Sequence, residues 1–156
     1  MPIYLPVLIA FMSSALLHKD LNTGLSLWLA SNKWQREMNQ CLAQQDLTHV
    51  QYILLCGIHD LNENKKPITQ ITLANYVGID KMMTSKVVRS LEVKKLVKRT
   101  SDKNDKRAIC IQMTSFGEQV LKKSAVAIEK FEGAFFNVLD GKQKSLTKKL
   151  KRIVEG

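Results

Sequence analysis

Seven glycines, three prolines and three cysteines in 156 residues leave this chain short of the material for catalytic loops, disulfide frameworks and zinc sites. Cys41, Cys56 and Cys110 are odd in number, far apart and never in a C-x-x-C pair, so no disulfide scaffold and no metal site is expected. A reducing compartment, the cytoplasm, fits that usage. No H-E-x-x-H or glycine-rich phosphate loop occurs, and His18, His49 and His59 belong to no nucleophile-and-base motif. No enzymatic activity and no cofactor are expected. Acidic side chains are also few, 14 against 24 Lys and Arg, which gives a net charge of +10 and favours an acidic partner. DNA, RNA and an anionic membrane are all open on charge alone. A long apolar run is missing as well: the first 17 residues carry no charge, but a membrane helix needs about 20. That segment also lacks the basic start of a secretory signal. A partner-binding or dimer-burying extension over residues 1–20, or an upstream start codon, is expected ahead of a secretory signal.

The positive charge is concentrated. Residues 81–107 hold ten Lys or Arg against three Asp or Glu, so 27 residues supply seven of the ten net charges. Cations at that density release condensed counterions when they meet phosphates, the footprint of a nucleic-acid contact. A solvated lysine face is the bland alternative. The length suits one domain, which buries on the order of 70% of its unfolded surface.

The pattern along the chain is mostly helical. From Leu21 to Gln45 the spacing of Leu25, Trp28, Leu29, Met38 and Leu42 predicts an amphipathic helix. A second helix should start at Thr48, where Thr48-x-x-Gln51 forms a capping box, and end near Leu61, before the polar stretch closed by Pro67. Thr69 can cap a short third helix holding Ile71, Leu73 and Ala74. Gly78 then supplies a tight turn, and Asp80 caps the next helix. There Thr84, Val87, Val88 and Leu91 should face the core while Met82, Ser85, Lys86 and Arg89 face outward. Two short helices around a glycine turn, the second with a basic outer face, describe a helix-turn-helix.

After Leu96 the β-favouring runs Val97–Thr100 and Ala108–Met113 flank a polar tip at Ser101–Arg107, a two-stranded hairpin or wing. Thr114 caps a long helix through Phe116, Val120, Leu121, Ile128, Phe131 and Phe135. Asp140-x-x-Gln143 then caps a last one, where Leu146, Leu150 and Ile153 form a stripe beside Lys142, Lys144, Lys148, Lys149, Lys151 and Arg152. Terminal helices whose stripes have little of their own domain to bury against predict a homodimer, and a two-fold dimer implies a palindromic site. The fold expected is mainly α with a small β wing: a winged helix-turn-helix, residues 47–113, flanked by dimerisation helices, residues 21–46 and 114–156. A peripheral membrane-surface protein is the competing reading, since it uses the apolar N-terminus and the basic C-terminal helix. It leaves the glycine turn and the wing unexplained.

The words LTHVQYILL (Leu47 to Leu55), TQITLANYVGID (Thr69 to Asp80), MTSKVVRSLEVKKLVKR (Met83 to Arg99), SDKNDKRA (Ser101 to Ala108) and MTSFGEQVL (Met113 to Leu121), in that order, strongly resemble the MarR family of bacterial transcription factors. The resemblance implies a double-stranded DNA operator as partner, a homodimer, and action as a repressor or silencing antagonist without need of a membrane. It places Lys81, Met82, Thr84, Ser85, Lys86 and Arg89 in the major groove, although Thr84 also sits on the core stripe. It places Lys103, Asn104, Lys106 and Arg107 of the wing in the minor groove. Members also bind small phenolic or aromatic effectors between the dimer helices and the reading domain, for which Trp28, Trp34 and His59 are the candidates here. Others sense oxidants through cysteine; Cys41, Cys56 and Cys110 lack the adjacent basic motif such a role needs. Two positions depart from the family pattern. Asn104 stands where the wing commonly has arginine, and Lys95 stands where a left-handed glycine usually follows the reading helix.

Overall fold

The computed structural model describes residues 23–62, 67–101 and 109–156. The backbone divides into two compact units, one ending at Glu37 and the other running Met38–Gly156. The elements are α1 (Thr23–Ala43), α2 (His49–Asn62), β1 (Ile68–Thr69), α3 (Gln70–Val77), α4 (Lys81–Val93), β2 (Val97–Ser101), β3 (Ile109–Met113), α5 (Ser115–Phe135), a 3-10 turn (Phe136–Leu139) and α6 (Gln143–Glu155). The mainly helical winged arrangement read from the sequence is therefore the fold.

In the first unit, the expected stripe of α1 meets solvent: Trp28 and Leu29 are exposed and Leu25 is half-buried. On this stretch Lys33 pairs with Glu37 and the Asn32 side chain donates to the Trp28 carbonyl.

In the second unit, Met38 and Leu42 of the same helix are buried together with Leu54, Leu55, Ile58, Leu73, Val88, Leu91, Val97 and Ile111. On α1, α2 and α4 these positions recur three and four apart, so each of those helices turns one face inward, while β3 buries the adjacent Cys110 and Ile111. The helix starts follow local chemistry. Thr48 and Gln51 form the reciprocal capping box: the Thr48 amide donates to Gln51 Oε1 (3.0 Å) and the Gln51 amide to Thr48 Oγ1 (3.3 Å). Thr69 Oγ1 accepts from the Thr72 amide, and Thr114 Oγ1 from the Gly117 amide. Gly78 has φ of 69°, the left-handed conformation that lets α3 stop and α4 begin at a new angle.

Three expectations about the fold need correction. The sheet has three antiparallel strands, ordered β1-β3-β2, where the sequence predicts a two-stranded hairpin. Ile68 pairs with Ile111 and Thr69 with Cys110. Two residues are too short to show a period-2 pattern, and their pairing partner lies beyond the next two helices. Asp140 does not cap α6: it sits in the left-handed region at φ 46°, after the 3-10 turn, and Lys142 begins the helix with no side-chain cap. Phe116 is exposed, because Gly117 occupies the inward position of that turn.

Candidate nucleic-acid interface

The outward face of α4 is the candidate. Its first turn is held by the Asp80 carboxylate, whose Oδ1 accepts from the Met82 and Met83 amides, each at 2.9 Å. Two of the helix's orphan donors are thereby satisfied, and the anion complements the helix dipole. Thr84, Val88 and Leu91 are fully buried, and Val87 is half-buried. Thr84 therefore cannot touch a base, which corrects its place among the groove residues. Its hydroxyl donates to the Asp80 carbonyl at 2.9 Å, so the side chain closes the first turn from within. On the other side, Lys81, Met82, Lys86 and Arg89 are exposed and Ser85 is half-exposed. Met82, Ser85, Lys86 and Arg89 stand at i, i+3, i+4 and i+7, a single stripe about two turns long.

Contacts that the sequence did not announce fix the other end of α4. Lys95 has φ of 61°, and a paired set of turn bonds closes the helix: the Lys95 amide donates to Glu92 O (2.9 Å) and the Leu96 amide to Leu91 O (3.0 Å). This is the Schellman arrangement with a lysine in the position glycine prefers. The same turn is gripped from α5. Thr114 Oγ1 donates to the Lys95 carbonyl at 2.7 Å, and a Cβ on Gly117 would lie 2.1 Å from the Leu96 carbonyl oxygen. Only glycine permits that approach.

Two polar ties complete the seating. Buried Gln51, already in the capping box, donates through Nε2 to Ser90 Oγ (2.8 Å), joining the start of α2 to α4. Lys94 reaches the turn after α1, where its Nζ pairs with the Asp46 carboxylate at 3.1 Å and donates to the Asp46 carbonyl. The wing is joined to the helix by Glu92, which accepts from Arg99 twice, from the backbone amide at Oε1 (3.1 Å) and from Nε at Oε2 (2.6 Å). That hydrogen bonding holds the Glu92 carboxyl below its ordinary range. Arg99, one of the ten cations of the basic segment, is thus committed to structure, while Lys98 beside it is exposed. The wing strands pair from Val97 with Met113 to Ser101 with Ile109. Lys103, Asn104, Lys106 and Arg107 at the tip lie outside the described residues, as does the 1–20 extension.

The effector candidates are placed unequally. His59 is exposed on the rim of a groove of about 290 Å³, walled by Tyr52, Cys56 and Asp60 of α2 and by Glu118, Leu121, Lys122 and Ala125 of α5. All of these belong to the second unit, whereas Trp28, exposed, and Trp34, half-buried, belong to the first. Burial pushes the Tyr52 hydroxyl well above its usual range, with a hydrogen bond to Cys56 adding to the effect. Burial likewise pushes the Cys56 thiol up, against the activation an oxidant sensor needs. Cys110 is buried on β3. No local sequence signal joins Tyr52, Glu118 and Lys122, because α2 and α5 are far apart in the chain.

Among the described residues, no helix is long and apolar enough to cross a membrane. Residues 47–109 match the family model described as MarR family. The chain is 35% identical over 130 residues to the uncharacterized HTH-type transcriptional regulator YdcH of Bacillus subtilis strain 168, covering 79% of this chain and 88% of the relative. Among solved structures it is similar to a mutant MarR from E. coli complexed with operator DNA, with a TM-score of 0.74, 21% identity, and coverage of 90% of this chain and 99% of that one. It is also similar to Bordetella bronchiseptica BpsR, whose DNA binding is regulated by 6-hydroxynicotinic acid, with a TM-score of 0.75, 17% identity, and coverage of 91% and 100%.

Proposed function

Because the chain belongs to the MarR family of DNA-binding transcriptional regulators, we propose that it acts in the cytoplasm as a homodimeric repressor or anti-silencer on a palindromic operator, with α4 in the major groove. The observation that carries this reading is the stripe of Met82, Ser85, Lys86 and Arg89 on a helix locked at both ends. A side chain can specify a base only if its backbone is held to a fraction of an ångström, and the ties at Asp80, Ser90, Glu92, Lys94 and Lys95 hold this one. Lys86 and Arg89 supply the charged base contacts, while Lys81 and Lys98 meet phosphates. The tip residues Lys103, Asn104, Lys106 and Arg107 serve the minor groove. Because lysine is more strongly hydrated than arginine, the wing adds affinity more than specificity. Residues 47–113 form the reading module, and 21–46 with 114–156 the dimer.

In vitro selection of bound duplexes gives the operator and tests the whole proposal. Lys86→Ala combined with Arg89→Ala should cost about 1–3 kcal/mol for each base edge left unread and relax specific operator positions. If specific binding survives that double change, the face has been assigned wrongly. Lys103→Ala with Lys106→Ala should weaken operator and random DNA by similar factors.

The same reading includes an effector. The groove beside His59 suits a small phenolic or aromatic acid: its walls are largely apolar, Lys122 and His59 supply cationic and donor groups for a carboxylate, and Asp60 and Glu118 supply acceptors for a phenolic hydroxyl. Trp28 and Trp34 of α1 are the other aromatic candidates for that ligand. Titration of aromatic carboxylates against the DNA complex, with Lys122→Ala as control, should show release that the substitution abolishes.

A further inference from the structure

The reading stripe is not chemically uniform. Ser85, Lys86 and Arg89 are polar, but Met82, at its N-terminal end, is a large apolar side chain 84% exposed. Nothing in the fold requires it there, since Thr84, Val88 and Leu91 already seat the helix. The first turn has also been stripped of its usual attraction for phosphate. Both the Met82 and Met83 amides are taken by the Asp80 carboxylate, whose charge faces the same end of the helix. Beside the Lys81 charge, which meets a phosphate, what this turn offers a base edge is the Met82 thioether and its terminal methyl, far more exposed than those of Met83. A recognition helix meets base edges through its N-terminal residues. In the major groove the apolar group on those edges is the 5-methyl of thymine; guanine, cytosine and adenine present donors and acceptors that a methionine cannot satisfy.

We propose that Met82 is a specificity-determining residue that reads the 5-methyl group of one thymine in each half-site. The inference rests on the assignment of α4 to the major groove. The side chain suits the task because it is unbranched and polarisable, and so closes on a methyl group without a fixed shape of its own. Burying one methyl is worth about fourfold in affinity. The discrimination is of the methyl itself, so 5-methylcytosine at the same position should bind better than cytosine by a similar factor.

The test uses the full chain and the operator obtained by selection, with each thymine replaced in turn by uracil, which removes only the methyl. For the native protein one thymine per half-site should lose about fourfold in affinity on that replacement. In Met82→Ala the same replacement should have no effect, and in Met82→Leu most of the preference should return. Met82 is exposed, so both variants should fold, which thermal melting checks. If the operator is enriched normally but no uracil replacement weakens binding, or one weakens native and Met82→Ala proteins equally, the thymine assignment is overturned while groove reading by Lys86 and Arg89 stands. If no sequence is enriched at all, sequence reading by this face fails and the assignment falls with it.

Discussion

Helices α4 and α6 have the same length, thirteen residues, and both pair an apolar stripe with a basic face, yet their places in the fold are opposite. The stripe of α4 is inside the chain's own core, its N-terminus is capped by Asp80 and its exit is closed by a turn that Thr114 and Gly117 grip. In α6 no residue is buried, no side chain caps the start, and Ile153 and Val154 are 68% and 86% exposed. The periodicities are alike, so amphipathicity shows that a helix needs a partner and not which partner it has. For α4 the partner is α2 and the sheet. For α6 the proposed partner is a second copy of the chain, because an apolar stripe left in water has no stabilising value.

The widest separation between the two helices should appear in stability and assembly. Leu91→Ala in α4 should cost about 2–5 kcal/mol of unfolding free energy at any protein concentration. Ile153→Ala in α6 should instead produce a loss that grows on dilution, and removing residues 141–156 should yield monomer or aggregate in sedimentation. Urea melts at several concentrations decide it. A stable truncated dimer with full DNA affinity would take α6 out of the interface.

A smaller effect concerns the caps. Asp80→Ala removes the acceptor for two amides and should cost about 1 kcal/mol. At α6, Asp140→Ala should change helix stability by a few tenths at most, because the carboxylate holds no amide there. If the two substitutions cost the same, Asp140 is acting as a cap after all.

At the exit of α4, Lys95→Gly should raise stability by about 1 kcal/mol, since φ of 61° strains a residue with a Cβ. A melting temperature that falls would mean the lysine is held by contacts worth more than the strain.

The smallest expected effect is a pH dependence. Glu92 has its carboxyl lowered from 4.5 by the hydrogen bonds from Arg99, so its contribution is complete above that ordinary value and is lost as the pH falls through the lowered one. Glu92→Gln should flatten the acid side of the stability curve at that step. An unchanged acid limb would show that the pairing is no stronger in the native state than in the unfolded chain.

Much of the candidate site was legible because its signals are local. The capping residues Thr48, Thr69, Asp80 and Thr114 each act on an amide two or three positions away, so sequence spacing is sufficient. The outward assignment of Met82, Ser85, Lys86 and Arg89 followed from the 3.6-residue period in the same way. Lys95 was legible only as a departure from the resemblance, and its positive φ is the physical content of that departure. Thr84 falls both on the core stripe and on the face that the family resemblance gives to the groove. The period alone was right about it, and the family position was not.

What the sequence by itself determined, then, is the set of elements, most of their starts, their inward faces and the place of the charge, because these depend on bonds and periods within a few residues. Only the tertiary structure decided how the reading helix is held. Gln51 meets Ser90 from 39 residues away, Lys94 meets Asp46 from 48, β1 pairs with β3 across two helices, and Gly117 is required by a carbonyl on another element. The groove between α2 and α5 is of the same kind. Such contacts depend on where the packing of the whole core brings two segments together, and no local pattern records that position.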